Sequence, residues 1–277
     1  MPRVAVVGHV EWIELARVPR VPRPGEIVHA TEWWQDAGGG GAVAAVQLAK
    51  LAGGAEFFTA LTGDENGRRA RQRLEELGVT VHVAPREGAQ RRGFVHLDDD
   101  HERTITILGE RLVPHGDDDL PWDRLDDVDG VYFTGGDVDA LTHARRARKL
   151  VATPRAYATL KASDVNLDAL VRSAKDPGEQ HAEEGLDPAP DIVVSTAGKE
   201  GGEWAGEDRT SGRWKAAQLP GPPRDSYGAG DSFAAGLTYG LAAGLPIDRA
   251  LEVASRCGAY KLAGTAPYEG QLTAADL

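Results

Sequence analysis

The sequence predicts an α/β protein, a layered and mostly parallel sheet with a small β insertion near its start. The first observation is the apolar run VAVVGH at 4–9, which ends in glycine, as a buried parallel strand does where it opens onto a site. The second is the alternation of helical and strand patterns from residue 41 onward, the mark of βαβ units. The third is a pair of extended stretches, 11–34 and 90–109, that break this alternation and read as one separate unit beside a core of 1–10, 35–89 and 110–277.

In chain order, VAVVGH is the first central strand. Residues 11–34 contain several prolines and the alternating Ile27, His29, Thr31 and Trp33, which predicts edge-like strands. GAVAAVQLAKLA from Gly41 reads as helix, AEFFTALTG as strand, NGRRARQRLEELG as a helix ending at Gly78, and VTVHVA as strand. QRRGFVHLDDDHERTITIL reads as two strands joined by an acidic turn, able to pair with 11–34. DGVYFTGGD follows as strand and turn, DALTHARRARKLVA and LDALVRSA as helices, PDIVVSTAG as strand, and 231–243 and 248–263 as the last helices. Between them, 175–191 is a polar excursion.

At 277 residues with 41% hydrophobic content, the chain suits one large domain. Its net charge of −12 argues against a broad nucleic-acid or anionic-membrane surface and leaves room only for a local basic pocket that holds a small phosphate. Cys257 is the single cysteine, so an intrachain disulfide and a cysteine-rich metal site are excluded. No apolar stretch reaches about 18 residues and no signal-like h-region is present, so a cytoplasmic location is expected. The histidines show no zinc-ligand spacing, and Trp33 and Trp34 read as packing or a dimer surface rather than a stacking platform.

The segment that carries chemistry is DSYGAGDSF at 225–233. Gly228, Ala229 and Gly230 let backbone N–H groups point outward where a helix begins, which makes an anion site. Asp231 is then either a cap on that helix or a base. A second glycine-rich turn, STAGKEGG, follows a strand at 195–202, with Thr196, Gly198 and Gly201 as its key positions. GGD at 135–137 closes a strand on the ligand-binding side, which makes Asp137 a substrate-side candidate.

DSYGAGDSF resembles the C-terminal signature of the ribokinase, or PfkB-type, family of carbohydrate kinases, D-T-x-G-A-G-D-x-F, with Ser226 in place of threonine. STAGKEGG looks like its T-x-G-x-x-G nucleotide loop, GGGGAV from Gly38 like its G-G-x-x-x-N sugar loop, and LTGDENG like its G-D-x-x-G turn. The resemblance implies a three-layer α/β/α ribokinase-like fold, with the inserted sheet as a lid that also pairs two subunits into a homodimer. It implies Asp231 as general base, Gly228, Ala229 and Gly230 as anion hole, and Thr196, Gly198 and Gly201 as ATP contacts. It further implies that Asp225 and the Tyr227 carbonyl help hold a monovalent cation such as K+. DPGE at 176–179 sits where the family carries N-x-x-E, so Asp176 and Glu179 are candidates for Mg2+; an exposed glutamate after a Pro-Gly turn is the alternative.

Two positions depart from the pattern. Val43 stands where the family has a sugar-bonding asparagine, and Ile13 where it has an aspartate. Gly38, Gly39 and Gly40 still permit close approach to a ligand. Glu11 is either the substitute carboxylate or a surface residue at a strand end. The expectation is an ATP- and Mg2+-dependent kinase acting on a hydroxyl of a sugar or sugar-like small molecule, a nucleoside included. The alternative is a non-catalytic nucleotide- or sugar-binding protein of the same fold. An NAD-binding oxidoreductase is disfavoured, because GHVEW and not G-x-G-x-x-G follows the first strand.

Overall fold

The structure, a computed structural model, describes residues 1–206 and 209–277. The chain runs β1 (Val4–Val7), β2 (Glu11–Arg17), β3 (Glu32–Gly38), α1 (Gly40–Ala52), β4 (Ala55–Thr62), α2 (Glu65–Glu76), β5 (Val79–Arg86), β6 (Arg92–Leu97) and β7 (Arg103–Leu108). It continues through β8 (Gly130–Phe133), α3 (Val138–Ala144), β9 (Leu150–Ala152), α4 (Tyr157–Lys161), β10 (Ala169–Ser173), β11 (Ile192–Thr196), β12 (Gly202–Gly206), β13 (Ser211–Trp214), α5 (Ala229–Ala242) and α6 (Ile247–Leu262). Nine strands form one sheet in the order β13-β12-β11-β10-β9-β8-β1-β4-β5, parallel except for the β12–β13 end.

β1 is buried on both faces, which is why it reads as an unbroken apolar run. Val4 and Val6 face the layer that contains α1, α5 and α6, and Ala5 and Val7 face α3 and the 3-10 turn at Trp122–Asp127. It pairs in parallel with β4 on one side and β8 on the other. Strand order therefore reverses at β1, and in open sheets of this kind ligands bind beyond the carboxyl ends of the strands at such a reversal. The small residues after Asp231 serve packing: a Cβ on Gly236 would stand 2.8 Å from the Ala254 Cα, and one on Gly240 2.7 Å from the Ala250 Cα. Glycine there lets α5 and α6 approach closely.

β3, β2, β6 and β7 form the second sheet, as the pairing of the two extended stretches predicts. β7 is its edge, and all six of its residues are exposed. Among the described residues no helix is long and apolar enough to cross a membrane.

The structure differs from the sequence reading at three places. LDALVRSA is not a helix: Ala169–Ser173 is β10, paired with β9 and β11. The carboxyl end of the segment expected as helix at 139–152 is β9. In both cases a short apolar run fits either state by periodicity, and its place between two strands decides. The extended stretch at 27–31 lies outside β2 and β3. The β12–β13 hairpin was not anticipated.

Candidate active site

Asp231 lies where two helix N-termini meet. Gly228 is the N-cap of α5, with φ 76°, and a Cβ there would stand 2.8 Å from Val43 Cγ1. Both the backbone and the space require glycine. No side chain caps this helix, so the cap role open to Asp231 is ruled out and the first-turn N–H groups are left for an anion. Gly39, φ 86°, begins α1, again without a side-chain cap. The Gly39 N–H donates to the Tyr227 hydroxyl at 2.9 Å, which ties the two turns together. A Cβ on Gly40 would lie 2.6 Å from Asp231 Oδ1, and one on Gly38 2.6 Å from the Tyr227 hydroxyl. The glycine run thus brings α1 against the Asp231 carboxylate.

On the other side of Gly230, a cavity of about 330 Å³ joins the two glycine-rich segments. Thr196, Gly198 and Gly201 line it from one segment, and Ala229, Gly230 and Phe233 from the other. Gly201, φ 85°, approaches so closely that a Cβ would meet the Trp214 carbonyl at 2.0 Å. Trp214 in turn stacks on Phe233 with ring centroids 5.7 Å apart.

On the Asp231 side lies a cluster of cations. Glu11 is only 7% exposed and pairs with Arg91 Nε at 2.8 Å, so it is not a surface carboxylate. Arg111 Nη2 donates to His9 Nδ1 at 2.9 Å and to the Thr134 carbonyl at 3.0 Å, and its Nη1 donates to the Arg155 carbonyl at 3.0 Å. All three acceptors are uncharged, and no carboxylate among the described residues forms an ion pair with Arg111. Burial, then Arg111, Arg91 and Arg155, pull the His9 pKa well below its usual value, so the ring is neutral. Because arginine only donates, His9 Nδ1 is the acceptor and its Nε2 carries the proton. Asp231 is the strongest influence raising the Arg155 pKa, with Glu179 adding to it.

Glu179 is 8% exposed, which overturns the exposed-glutamate alternative. It accepts from the Ser173 N–H at 2.8 Å and from Arg155 Nε at 3.3 Å. A single oriented carboxylate with lone pairs to spare suits Mg2+, which keeps several waters and takes few protein ligands. Asp176 is exposed and closes a local turn by accepting from the Gly178 N–H at 2.9 Å. Asp137 caps α3: its Oδ1 accepts from the Ala140 N–H at 2.8 Å and from the Gly116 N–H at 2.9 Å. Asp225 is fully buried, and Lys261 lies beside it.

Sequence reasoning singled out neither His9 nor Arg91, Arg111 and Arg155. His9 follows β1 directly and Arg155 lies just past β9, at the strand ends where a site is expected. Arg155 was hidden because β9 read as helix.

The model of the pfkB family carbohydrate kinases matches residues 1–172 and 147–272. An ATP-dependent ribose-1-phosphate kinase from Halopiger xanaduensis is 29% identical over 294 residues, covering 99% of this chain and 95% of that one. Among solved structures, ribokinase from Giardia lamblia matches with a TM-score of 0.81 at 16% identity, over 100% of this chain and 98% of its own. Ribokinase from Arabidopsis thaliana, solved with ribose and ATP, gives 0.77 at 18% identity, over 99% and 97%. The architecture is the ribokinase-like α/β fold.

Proposed function

The chain belongs to the pfkB family of carbohydrate kinases, and we propose that it transfers the γ-phosphate of ATP to a hydroxyl of a sugar that already carries a phosphate, with Asp231 as base. The observation that carries the phosphotransfer is the single cavity that runs from the Thr196–Gly201 loop to the uncapped N-terminus of α5, with Asp231 one residue beyond its Gly230 wall. ATP would lie in that cavity with its terminal phosphate on the N–H groups of the 228–230 turn. Asp231 takes the proton of the acceptor hydroxyl as its oxygen bonds to the γ-phosphorus, and the bond to the bridging oxygen breaks to release ADP. Glu179, through water, would hold Mg2+, whose charge would neutralise the ATP phosphates.

Two observations support a phosphorylated acceptor. Arg111 is a partly buried cation whose hydrogen-bond partners are all neutral, and one of them, His9, packs against Gly39 at the start of α1; such an arrangement favours an anion. The Halopiger relative, which aligns along nearly the whole chain, is named for ribose-1-phosphate. Arg111 would bind the existing phosphate, with Arg91 and Arg155 beside it and already paired to Glu11 and Glu179.

The small sheet would close over this pocket as a lid. Ile105 pairs across to Val95, and Val95 to the buried Leu15, so these residues share one face. The free edge of β7 would pair two subunits.

ADP release across ribose-1-phosphate, other sugar phosphates, free ribose and nucleosides tests the proposal. A sugar phosphate should be preferred over the neutral sugar by about tenfold or more, corresponding to at least about 1.4 kcal/mol. Preference for a neutral sugar or a nucleoside would refute the acceptor class. ATP binding without ADP release from any acceptor would refute catalysis and favour a binding protein.

A further inference from the structure

Directly behind the phosphate turn is a lysine that the phosphotransfer scheme leaves without a task. Lys261, near the end of α6, is 0% exposed, as is Asp225. Its ammonium lies 3.6 Å from Asp225 Oδ1 and donates to the Gly264 carbonyl at 3.4 Å. Asp225 Oδ1 also accepts from the Tyr227 N–H at 3.1 Å, and Oδ2 from the Ala266 N–H at 2.9 Å. One carboxylate therefore ties the 225–228 turn to the 264–266 loop, with the ammonium between them. Burial pulls the Lys261 pKa down, while Asp225 and then Glu269 oppose that by favouring the charged form.

A monovalent metal ion at this position would need a cage of carbonyl and carboxylate oxygens in place of its hydration shell. The Asp225 carboxylate, the charged donor that would stand beside the Tyr227 carbonyl in such a cage, already faces a cation, and so does the nearby Gly264 carbonyl. A potassium ion placed on them would meet the ammonium as a like charge in a buried setting, where repulsion is largest.

We propose that the Lys261 ammonium is the built-in cation of the phosphate turn, so that this enzyme works without potassium or any other monovalent metal ion. The tethered charge does the electrostatic work of a bound ion, balancing Asp225 and holding the turn that presents Gly228 and Gly230. The inference rests on the assignment of 228–230 as the phosphate site.

The test is ADP release by the 277-residue chain in tetramethylammonium buffer, with and without potassium chloride at constant ionic strength. Rates should agree within about twofold; activation by about fivefold or more, the scale of a coupled site, would overturn the proposal. Lys261→Gln leaves the Asp225 carboxylate buried without a counter-ion. In potassium-free buffer this variant should melt at lower temperature and turn over more slowly, and added potassium should raise both its Tm and its rate. A variant that matches the wild type in both without any added ion would overturn the proposal. If the variant does not fold, the wild-type salt comparison still decides. Absence of ADP formation from every acceptor would sink the kinase assignment instead, and the potassium response of the two melting curves would still read the role of Lys261.

Discussion

Replacing Arg111 by methionine removes the guanidinium of the proposed acceptor pocket that, among the described residues, has no acidic partner, while keeping much of its apolar stem. In the free protein its three bonds, at 2.9, 3.0 and 3.0 Å, go to neutral acceptors, so its charge is available to a ligand. A charge-assisted hydrogen bond to a phosphate contributes about 1.5–3 kcal/mol, or roughly 10- to 150-fold in affinity at about 1.4 kcal/mol per tenfold. Arg91 and Arg155 remain, each already paired with a carboxylate, so a rise in KM for ribose-1-phosphate of about 30-fold is expected, in the middle of that range. The change also strands the Thr134 and Arg155 carbonyls, which lowers stability by about 1–3 kcal/mol and appears as a lower Tm. That effect is common to all acceptors, so the ratio of kcat/KM for ribose-1-phosphate to that for ribose isolates the electrostatic part. The assay is coupled ADP release with both acceptors at fixed ionic strength. A ratio unchanged in Arg111→Met would refute the role of Arg111, and Arg111→Lys should retain part of the selectivity because it keeps the charge without the planar fork.

Asp231→Asn keeps the shape of the side chain and removes the base; kcat should fall by about a hundred- to ten-thousand-fold with ATP affinity nearly unchanged, and undiminished turnover would remove Asp231 from the mechanism. His9 is neutral when folded because its pKa is pulled down, whereas unfolded histidine titrates near 6.5. Below about pH 6.5 the unfolded chain therefore binds the extra proton, and stability falls as the pH falls toward the folded value. Melting temperatures between pH 7 and 5 should drop less steeply for His9→Gln than for the wild type, and equal slopes would refute the assignment. Ile105→Lys, at the exposed edge of the small sheet, should shift a dimer toward monomer in light scattering, and no dimer in the wild type would exclude pairing through β7.

The parts of this site that local chemistry demands could be read in the sequence. Gly228 and Gly201 have positive φ and stand where a side chain would collide with Val43 or the Trp214 carbonyl, so the residue type itself records the geometry. The alternating strands and helices likewise placed β1, β4, β5, β8 and β11. What stayed hidden depends on distance along the chain. Arg91 precedes β6, Arg111 follows β7 and Arg155 follows β9; the β6–β7 hairpin brings the first two to one end of the small sheet, but no local pattern joins them to Arg155, and each is individually an ordinary surface residue type. Asp137 has a second task that its position at a strand end did not announce: its Oδ1 caps the helix that follows, which leaves Oδ2 outside that cap.

The two departures from the family pattern acquire a physical sense once the cations are in view. Val43 is fully buried and packs beneath Gly228, so the position that would hydrogen-bond a neutral sugar instead supports the proposed phosphate turn. Ile13 is fully buried as well, against Gly38. Losing two hydroxyl-binding groups would weaken recognition of an uncharged sugar. An acceptor that brings its own phosphate needs fewer of them, because one charge-assisted bond to a guanidinium is worth about two neutral ones. The proposed shift from hydroxyl recognition to charge recognition would account for Val43, Ile13 and Arg111 together, and it would put the two aspartates of the signature on opposite sides of one turn. On this reading Asp225 answers the Lys261 ammonium behind the turn, while Asp231 would face the variable ligand in front.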